Sequence, residues 1–240
     1  MKVQTSITHI DKDGHPVIHG MALARLVRDH SFVESIFLIL QGRLPEAPEQ
    51  KMFDALLTAA IDHGPGTASG QTSRITASAK NSMHTSLAAG ILAMGERHGS
   101  AIEPAMSFFY EHVHEDPAAL IGMLKEQKVR IPGFGHAVLT HDHRKDMLYA
   151  VAKETGFYGK HCLFAESIFE ALNKVSSKVL PMNVDGAMGS ILCDMGFDIK
   201  LARGIFIIAR MPGLVGQVYE EMTNDVGIRR MAEEDITYTP

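Results

Sequence analysis

Four short segments of the sequence place a titratable side chain beside Gly or Pro, at positions where a helix is predicted to begin or end. They are Asp62-His63-Gly64-Pro65, Arg97-His98-Gly99, Gly133-Phe134-Gly135-His136 and Asn183-Val184-Asp185-Gly186. Such positions aim a side chain and leave backbone amides available to a ligand. A single His beside Gly more often marks a helix C-terminus. Three His and one Asp in this setting in one chain therefore indicate a site.

One Asp together with several His suits proton transfer at a carbon next to a carbonyl group. An Asp can abstract a weakly acidic carbon proton when a donor such as His holds the resulting enolate. The same groups can make or break a carbon–carbon bond. Arg144 and Arg210 lie near these motifs, and a guanidinium binds a carboxylate through two parallel hydrogen bonds. The pattern therefore favours a polycarboxylate substrate, although an isolated Arg more often forms a surface salt bridge.

The elements that must position these residues are short helices, because apolar residues recur at spacings of three and four from about residue 21 onward. Ser31 followed by Glu34 matches a capping box. The pattern of residues 1–18 predicts an extended arm or hairpin ending at Asp11–Gly14. Residues 132–143 are predicted to form a loop. The helices are expected at 32–40, 52–60, 69–79, 84–94, 102–112, 117–128, 145–155, 160–177, 184–195, 199–209 and 214–222. We predict an all-α fold, with an extended tail from Glu233 to Pro240.

Composition excludes several classes of protein. The chain has 240 residues, enough for one large domain or a domain with a smaller lobe, and a formal net charge of −5. A negative balance does not attract nucleic acid or anionic lipid in general. Apolar stretches such as Ile205–Ala209 are far shorter than the roughly 18–20 residues of a membrane span. With no signal-peptide pattern at the N-terminus, we expect no membrane association and a cytoplasmic location.

Metal and nucleotide chemistry are not indicated. His112-x-His114 and His141-x-His143 occur without Cys or an HExxH motif, so we predict no metal. Phosphate-binding glycine motifs do not occur, so an ATP-dependent step would need another polypeptide. Cys162 and Cys193 lie within helical patterns and are expected to be small buried residues.

Five motifs in order resemble the citrate synthase superfamily, from about residue 15 onward. They are the segments around His63, His98, His136 and Asp185, and the segment IARMPGLVGQVYEE at 208–221. The sequence is more similar to stand-alone citryl-CoA lyases and to the citryl-CoA lyase module of ATP citrate lyases. These share the DHGP stretch, a GxRxGxA segment (here 95–101), NVDG and a tail like Ile236-Thr237-Tyr238.

The resemblance implies a role for each motif residue. Asp185 would move the proton on the acetyl methyl carbon, His98 would stabilise the enolate, and His136 would exchange a proton with the oxaloacetate carbonyl or the hydroxyl it becomes. The substrate carboxylates would be bound by His63, Arg144 and Arg210. Coenzyme A would be approached by the backbone at Pro132, Gly133, Phe134 and Gly135, and at Met211 to Gly213.

The sequence departs from the superfamily pattern at four places. Ala137 stands where Arg usually follows GFGH, and Asp142-His143-Arg144 replaces Asp-Pro-Arg after a one-residue deletion. Gln217 occupies a position that is usually His. The Arg-Pro element near the end of synthases is missing, and whether Arg229 or Arg230 of a neighbouring subunit substitutes for it is left open.

The resemblance implies a citrate synthase-like fold, shortened at the N-terminus. A large helical domain would use residues 1–100 and 205–240, and a small one 101–204, with the site between them. We predict cleavage of citryl-CoA, with citrate or 2-methylcitrate synthase as the alternative, since retained His98 is synthase-like. A third hypothesis is a catalytically degenerate subunit that binds coenzyme A or citrate. A homodimer is implied, and citryl-CoA could come from a separate synthetase.

Overall fold

A small antiparallel sheet precedes the helices. The computed structural model describes residues 2–96, 98–99, 101–135 and 141–239. The strands Thr8–Ile10 (β1), Pro16–Ile18 (β2) and Met21–Ala22 (β3) pair in the order β1-β2-β3. Asp11 forms the turn between β1 and β2, since its Oδ1 accepts the N–H groups of Asp13 and His15 at 2.9 and 2.8 Å. The predicted hairpin is confirmed, whereas β3 was missed because two residues cannot show an alternating pattern.

Apart from connecting loops, short turns and the C-terminal segment, the rest of the described chain is helical, which confirms the predicted all-α class. Most boundaries lie within one or two residues of those expected, although the helix predicted at 52–60 begins earlier. The helices are α1 Leu23–Asp29, α2 Phe32–Gln41, α3 Ala47–Ala59, α4 Ala68–Ser78, α5 Met83–Leu92, α6 Ile102–His112, α7 Pro117–Glu126, α8 His143–Thr155, α9 Lys160–Val175, α10 Val184–Asp194 and α11 Ala202–Asn224.

Helix ends follow local chemistry. At the start of α2, the Ser31 hydroxyl accepts the Glu34 N–H and the Glu34 carboxylate accepts the Ser31 N–H, which confirms the capping box. Gly42 ends that helix at φ +73°, a left-handed conformation that Gly adopts without steric cost. Pro117 begins α7, where a missing N–H is tolerated.

The prediction of two separate helices near the end of the chain was wrong. Helix α11 runs through Pro212 for 23 residues, and Ile199–Leu201 forms a separate 3₁₀ turn before it. Proline removes one helical hydrogen bond, but tertiary packing of the buried Ala209 and Leu214 on either side holds the axis together. The stretch 199–224 is long and apolar enough to cross a membrane. It packs against α3, α4, α5 and α6 and buries Arg210 and Glu221, as the core helix of a globular protein does.

One cluster of buried apolar residues connects the helices and contains members from both predicted domains. At its centre, the rings of Phe53 and Phe197 stack at 5.5 Å, and Phe37 meets both edge-on at 5.6 Å. Phe197 belongs to the predicted small domain and the other two to the large one. The division into two domains itself stays a prediction. Cys162 and Cys193 are buried and not disulfide-bonded, as expected.

Candidate active site

Two of the predicted motifs are joined through their backbones. Gly135 donates its N–H to the Pro181 carbonyl at 2.7 Å, and Asn183 donates its N–H to the Gly133 carbonyl at 3.0 Å. The Asn183 side chain also donates to the Gly135 carbonyl at 3.0 Å. Its Oδ1 accepts the Gly186 N–H at 3.1 Å and so caps α10. The segment 133–135 is therefore fixed beside the first turn of α10, which carries Asp185.

Glycine is required where these segments meet. A Cβ on Gly133 would lie 2.6 Å from the Cα of Gly186, and a Cβ on Gly186 would lie 2.5 Å from the Gly133 oxygen. Gly133 also has φ +82°, which disfavours any side chain. These two glycines therefore allow the backbones to approach, and Gly133 has this packing role whether or not it contacts a ligand.

Asp185 lies at the second position of α10 with an unsatisfied carboxylate. Its Oδ1 is buried and has no hydrogen-bond partner among the described residues. Burial raises the pKa of Asp185 to about 6 and Asp142 adds to the rise, while the positive charges of Arg144 and Arg210 oppose it. A carboxyl group with a pKa near neutrality can both donate and accept a proton under physiological conditions.

Arg144 is held beside α10 by Asp142, which is 2% exposed. The guanidinium donates to both Asp142 oxygens, at 2.9 and 2.8 Å. Asp142 also accepts the N–H groups of Arg144 and Val184, which join the starts of α8 and α10. Burial opposes ionisation of Asp142, but these donors and the Arg144 charge hold its pKa below the usual value. Arg144 is therefore fixed within electrostatic range of Asp185.

Arg210 projects from the middle of α11 and is 3% exposed. Its Nε donates to the Ala60 carbonyl at 2.8 Å, and its guanidinium stacks over the Phe206 ring at 5.1 Å. The buried Nη1 has no hydrogen-bond partner among the described residues. Burial lowers the pKa of Arg210, while the charges of Asp62 and Asp185 raise it. The unsatisfied Nη1 group can donate to an anion.

The orientation of His98 leaves one ring nitrogen for another partner. Its Nε2 lies 2.8 Å from the Ser69 hydroxyl oxygen and accepts the Ser69 N–H at 3.3 Å. Because a backbone N–H can only donate, the neutral ring carries its proton on Nδ1. Burial lowers the pKa of His98, and the charges of Arg210 and His63 act in the same direction. The neutral imidazole is therefore favoured, with Nδ1–H as a donor.

The other predicted residues fall into three groups. His63 is exposed on the turn after α3, close enough to His98 to affect its pKa. Gly213 packs on the Ile61 carbonyl, since a Cβ there would lie 2.2 Å from that oxygen. His136 and Ala137 lie outside the described residues, as do Arg97 and Ser100. The structure thus brings Asp185, Arg144 and Arg210 into mutual electrostatic range, and His98 into range of Arg210.

An apolar groove adjoins the 133–135 segment, with a cavity volume of about 520 Å³. Phe134 and Ile131 form one side, next to Leu124 and Leu172. Four basic side chains stand around it: Lys125, Lys128, Arg130 and Lys178. The groove is therefore lined by both apolar and cationic side chains, a combination that suits a ligand with a flat ring and phosphate groups.

Comparison with known proteins identifies the family. The model of the citrate synthase C-terminal domain matches residues 45–231. The chain belongs to the citrate synthase family. It is 41% identical to a citryl-CoA lyase from Hydrogenobacter thermophilus, with a TM-score of 0.93 over 99% of this chain and 94% of that one. A citrate synthase from Thermoplasma acidophilum is 22% identical and shares the fold, with a TM-score of 0.73 over 88% of this chain and 58% of that chain.

Curated relatives of this family member are longer proteins. The ATP-citrate synthase beta chain protein 1 of Oryza sativa is 26% identical over 249 residues, or 95% of this chain and 41% of its own length. This chain therefore spans about two fifths of such relatives.

The sequence analysis of this family member missed two residues that organise the site. Asp142 anchors Arg144 and the start of α10, and its position just before His143-Arg144 is a helix N-cap signal that could have indicated it. Ser69 orients His98 from inside α4, and no sequence signal distinguishes it from other helical serines. Arg229, considered for a neighbouring subunit, is paired with Glu221 of its own chain at 2.6 and 2.8 Å.

In the part of the chain that the structure describes, two groups of side chains have the spacing of metal ligands. They are His141, His143 and Asp146, and Asp11, Asp13 and His15, with ligand atoms within 4.8 Å of one another in each group. All but Asp11 are exposed. Neither group includes a residue of the candidate site, and the absence of a metal in the reaction stays a prediction.

Proposed function

We propose that this chain cleaves citryl-CoA to acetyl-CoA and oxaloacetate. The observation that carries the proposal is the buried, unpartnered oxygen of Asp185, which lies under the influence of two guanidinium groups. Such a carboxyl can transfer a proton to carbon while Arg144 and Arg210 hold substrate carboxylates. The match to the Hydrogenobacter citryl-CoA lyase over nearly all of both chains supports this choice.

The cleavage needs one proton acceptor, one enolate stabiliser and one proton donor. His136, by prediction, takes the proton of the tertiary hydroxyl group of citryl-CoA. The oxygen then forms the oxaloacetate carbonyl as the carbon–carbon bond breaks, and the bonding electron pair moves into the thioester enolate. Nδ1–H of His98 donates to the enolate oxygen. Protonated Asp185 transfers its proton to the enolate carbon, which becomes the acetyl methyl group.

Substrate carboxylates fit the cationic side of this site. The unpartnered Nη1 of Arg210 donates to one carboxylate while its Nε stays bound to Ala60. Arg144 provides a second positive charge, and His63 lies on the turn after α3. Because Arg210 is buried, its hydrogen bond to a carboxylate is stronger than it would be in water.

Coenzyme A is assigned to the groove beside Phe134. An adenine ring would lie on the apolar floor near Ile131 and Phe134, and the phosphates would meet Lys128, Arg130 and Lys178. The backbone of Pro132–Gly135 then passes between this groove and Asp185, which is where the thioester must lie. Contacts of Met211 and Gly213 with coenzyme A are also part of the proposal.

The reverse reaction is the second candidate function. A condensation of acetyl-CoA with oxaloacetate uses the same His98 and Asp185, with Asp185 as base instead of acid. A pKa of about 6 leaves Asp185 mainly ionised at neutral pH, which favours the base role and so supports a synthase. A synthase must also hydrolyse the citryl thioester.

A homodimer is proposed as the functional form. Apolar side chains stand exposed on α4, α5 and α11, among them Ile75, Leu92 (87% exposed) and Tyr219. Large exposed apolar groups on neighbouring helices are typical of a protein interface. Light scattering after size-exclusion chromatography tests the dimer, and Leu92→Glu should shift it to the monomer. A separate synthetase that supplies citryl-CoA, and a cytoplasmic location, complete the proposal.

The reaction is tested with purified protein and two substrate mixtures. Citryl-CoA is supplied first, and oxaloacetate is measured through malate dehydrogenase and NADH, with acetyl-CoA followed by chromatography. Acetyl-CoA plus oxaloacetate is supplied second, and free coenzyme A and citrate are measured. Cleavage without net synthesis supports the lyase, and release of coenzyme A with citrate supports the synthase. Turnover in neither mixture supports the binding subunit and refutes both enzymes.

Matched variants locate the chemistry. Asp185→Asn should reduce turnover by about 100-fold or more, the usual contribution of a general acid or base. Asp29→Asn, at an exposed position at the end of α1, should leave turnover unchanged. Wild-type turnover in Asp185→Asn would remove Asp185 from the mechanism.

A further inference from the structure

One face of α11 holds the turn that carries His63. Arg210, Gly213 and Gln217 follow one another at spacings of three and four, so they lie in one row along the helix. Each contacts a successive residue of the segment that leaves α3. Arg210 Nε donates to the Ala60 carbonyl at 2.8 Å, and the surface of Gly213 meets the Ile61 carbonyl.

The third contact of this row is a hydrogen bond between two side chains. Gln217 Nε2 donates to Asp62 Oδ2 at 3.1 Å. The same Asp62 oxygen accepts the Gly64 N–H at 3.1 Å, which closes the turn around His63. Asp62 therefore connects Gln217 to the conformation of the His63 turn. Its charge also acts on Arg210, whose pKa it raises.

The other end of the Gln217 amide fixes its orientation. Gln217 Oε1 accepts a hydrogen bond from Arg74 Nη1 at 2.7 Å, so the amide nitrogen must face Asp62. Arg74 is itself held by Glu221, with Nε 2.8 Å from Oε2 and only 1% of the Glu221 side chain exposed. Arg229 donates to the same carboxylate from the far side. A buried ion pair thus supports Gln217.

We propose that Gln217 is a positioning residue for the substrate-carboxylate site. It holds Asp62, and through Asp62 it sets the position of His63 relative to the unpartnered Nη1 of Arg210. Gln217 is not a catalytic residue, since it reaches the substrate only through Asp62 and His63. The inference deepens the proposed function and rests on it for the identity of the substrate.

The test uses three substitutions at one position. Gln217→Glu replaces the donor by a charge that repels Asp62, with nearly the same shape. Gln217→Ala removes both hydrogen bonds. Gln217→His keeps one N–H donor and one acceptor nitrogen and should restore the arrangement. Gln50→Glu on α3, whose amide donates to Ser31, is the control for a Gln-to-Glu change away from the site.

The expected result is a change in KM and not in kcat. Gln217→Glu and Gln217→Ala should raise the KM for citryl-CoA by about tenfold, the effect of losing a hydrogen bond to a charged group, with kcat changed less than about twofold. Gln217→His should return KM to within about threefold of wild type. An unchanged KM in both disruptive variants overturns the inference, as does a fall in kcat at constant KM.

A ligand-independent measurement separates this inference from the proposed function. The ring C–H resonance of His63 is assigned by comparison with His63→Gln, and its NMR position is recorded for each variant. It should move in Gln217→Glu, stay in Gln50→Glu and return in Gln217→His. If wild type fails to cleave citryl-CoA, the proposed function fails while this readout still decides the role of Gln217. An unmoved His63 signal overturns it.

Discussion

Replacing Asp185 by Asn should stabilise the protein while it removes turnover. The folded pKa of Asp185 is about 6, against an ordinary value of 3.8. The folded state therefore favours the protonated form, and its stability advantage is complete below about pH 3.8 and lost as the pH rises through about 6. The difference between these two pKa values means that ionised Asp185 lowers the free energy of unfolding by about 3 kcal/mol above pH 7.

The stability difference between Asp185→Asn and wild type should depend on pH. With these two pKa values, ionisation of Asp185 costs about half as much free energy at pH 5 as at pH 8, where the cost is about 3 kcal/mol. An Asn side chain does not titrate, so packing differences between the two proteins are the same at both values. The stability of Asp185→Asn relative to wild type should therefore increase by about 1 kcal/mol between pH 5 and pH 8.

Urea unfolding followed by far-UV circular dichroism measures this difference. The chain contains no Trp, and its helices give a strong dichroism signal. Protein concentration is kept the same in all samples, because dimerisation would make stability depend on it. A difference that is equal at pH 5 and pH 8 would refute the argument that burial destabilises the ionised carboxylate.

Asp142→Asn is the matched control within the same site. The pKa of Asp142 lies below its usual value of 3.8, so its ionised form stabilises the fold above that pH and the effect is lost as pH falls through the lower folded value. Asp142→Asn should therefore destabilise the protein by about 3 kcal/mol, the cost of breaking a buried ion pair. The loss should be present at both pH 5 and pH 8, because Asp142 is ionised at both values.

Three other perturbations probe the acid, a glycine and a guanidinium of the site. The kcat/KM for citryl-CoA cleavage should fall as pH rises through about 6, because Asp185 must be protonated, and condensation should rise instead; a flat profile removes Asp185 as donor. Gly133→Ala should lower the free energy of unfolding by about 3 kcal/mol or more, since its Cβ would lie 2.6 Å from Gly186 at positive φ. The control Gly204→Ala, where the added methyl group would lie in open space on α11, should leave the free energy of unfolding unchanged or raise it. Equal effects of Gly133→Ala and Gly204→Ala in urea unfolding would contradict the packing argument. Arg210→Lys should raise the KM for citryl-CoA about tenfold, since an ammonium lacks the guanidinium fork; an unchanged KM in the coupled assay would exclude carboxylate binding there.

Helix positions were predictable because their signals are local. The Ser31–Glu34 capping box, Pro117 at the start of α7 and the apolar spacing of α6 each concern residues within one or two turns. The failure at Pro212 has the same origin. Proline weakens a helix locally, but burial of its neighbours against four other helices outweighs that loss, and no short window contains those partners.

The sequence by itself singled out the candidate residues, because His98, Asp185, Arg144 and Arg210 are recognisable by type and by their Gly-rich or helix-end settings. Only the tertiary structure decided their states. Among the described residues, Asp185 Oδ1 has no hydrogen-bond partner, Arg144 is held by Asp142, and His98 is oriented by Ser69. These states depend on burial and on contacts between residues up to about 150 positions apart, such as Ala60 with Arg210. Local pattern identifies a side chain, but solvent exclusion and long-range neighbours set its pKa and its orientation.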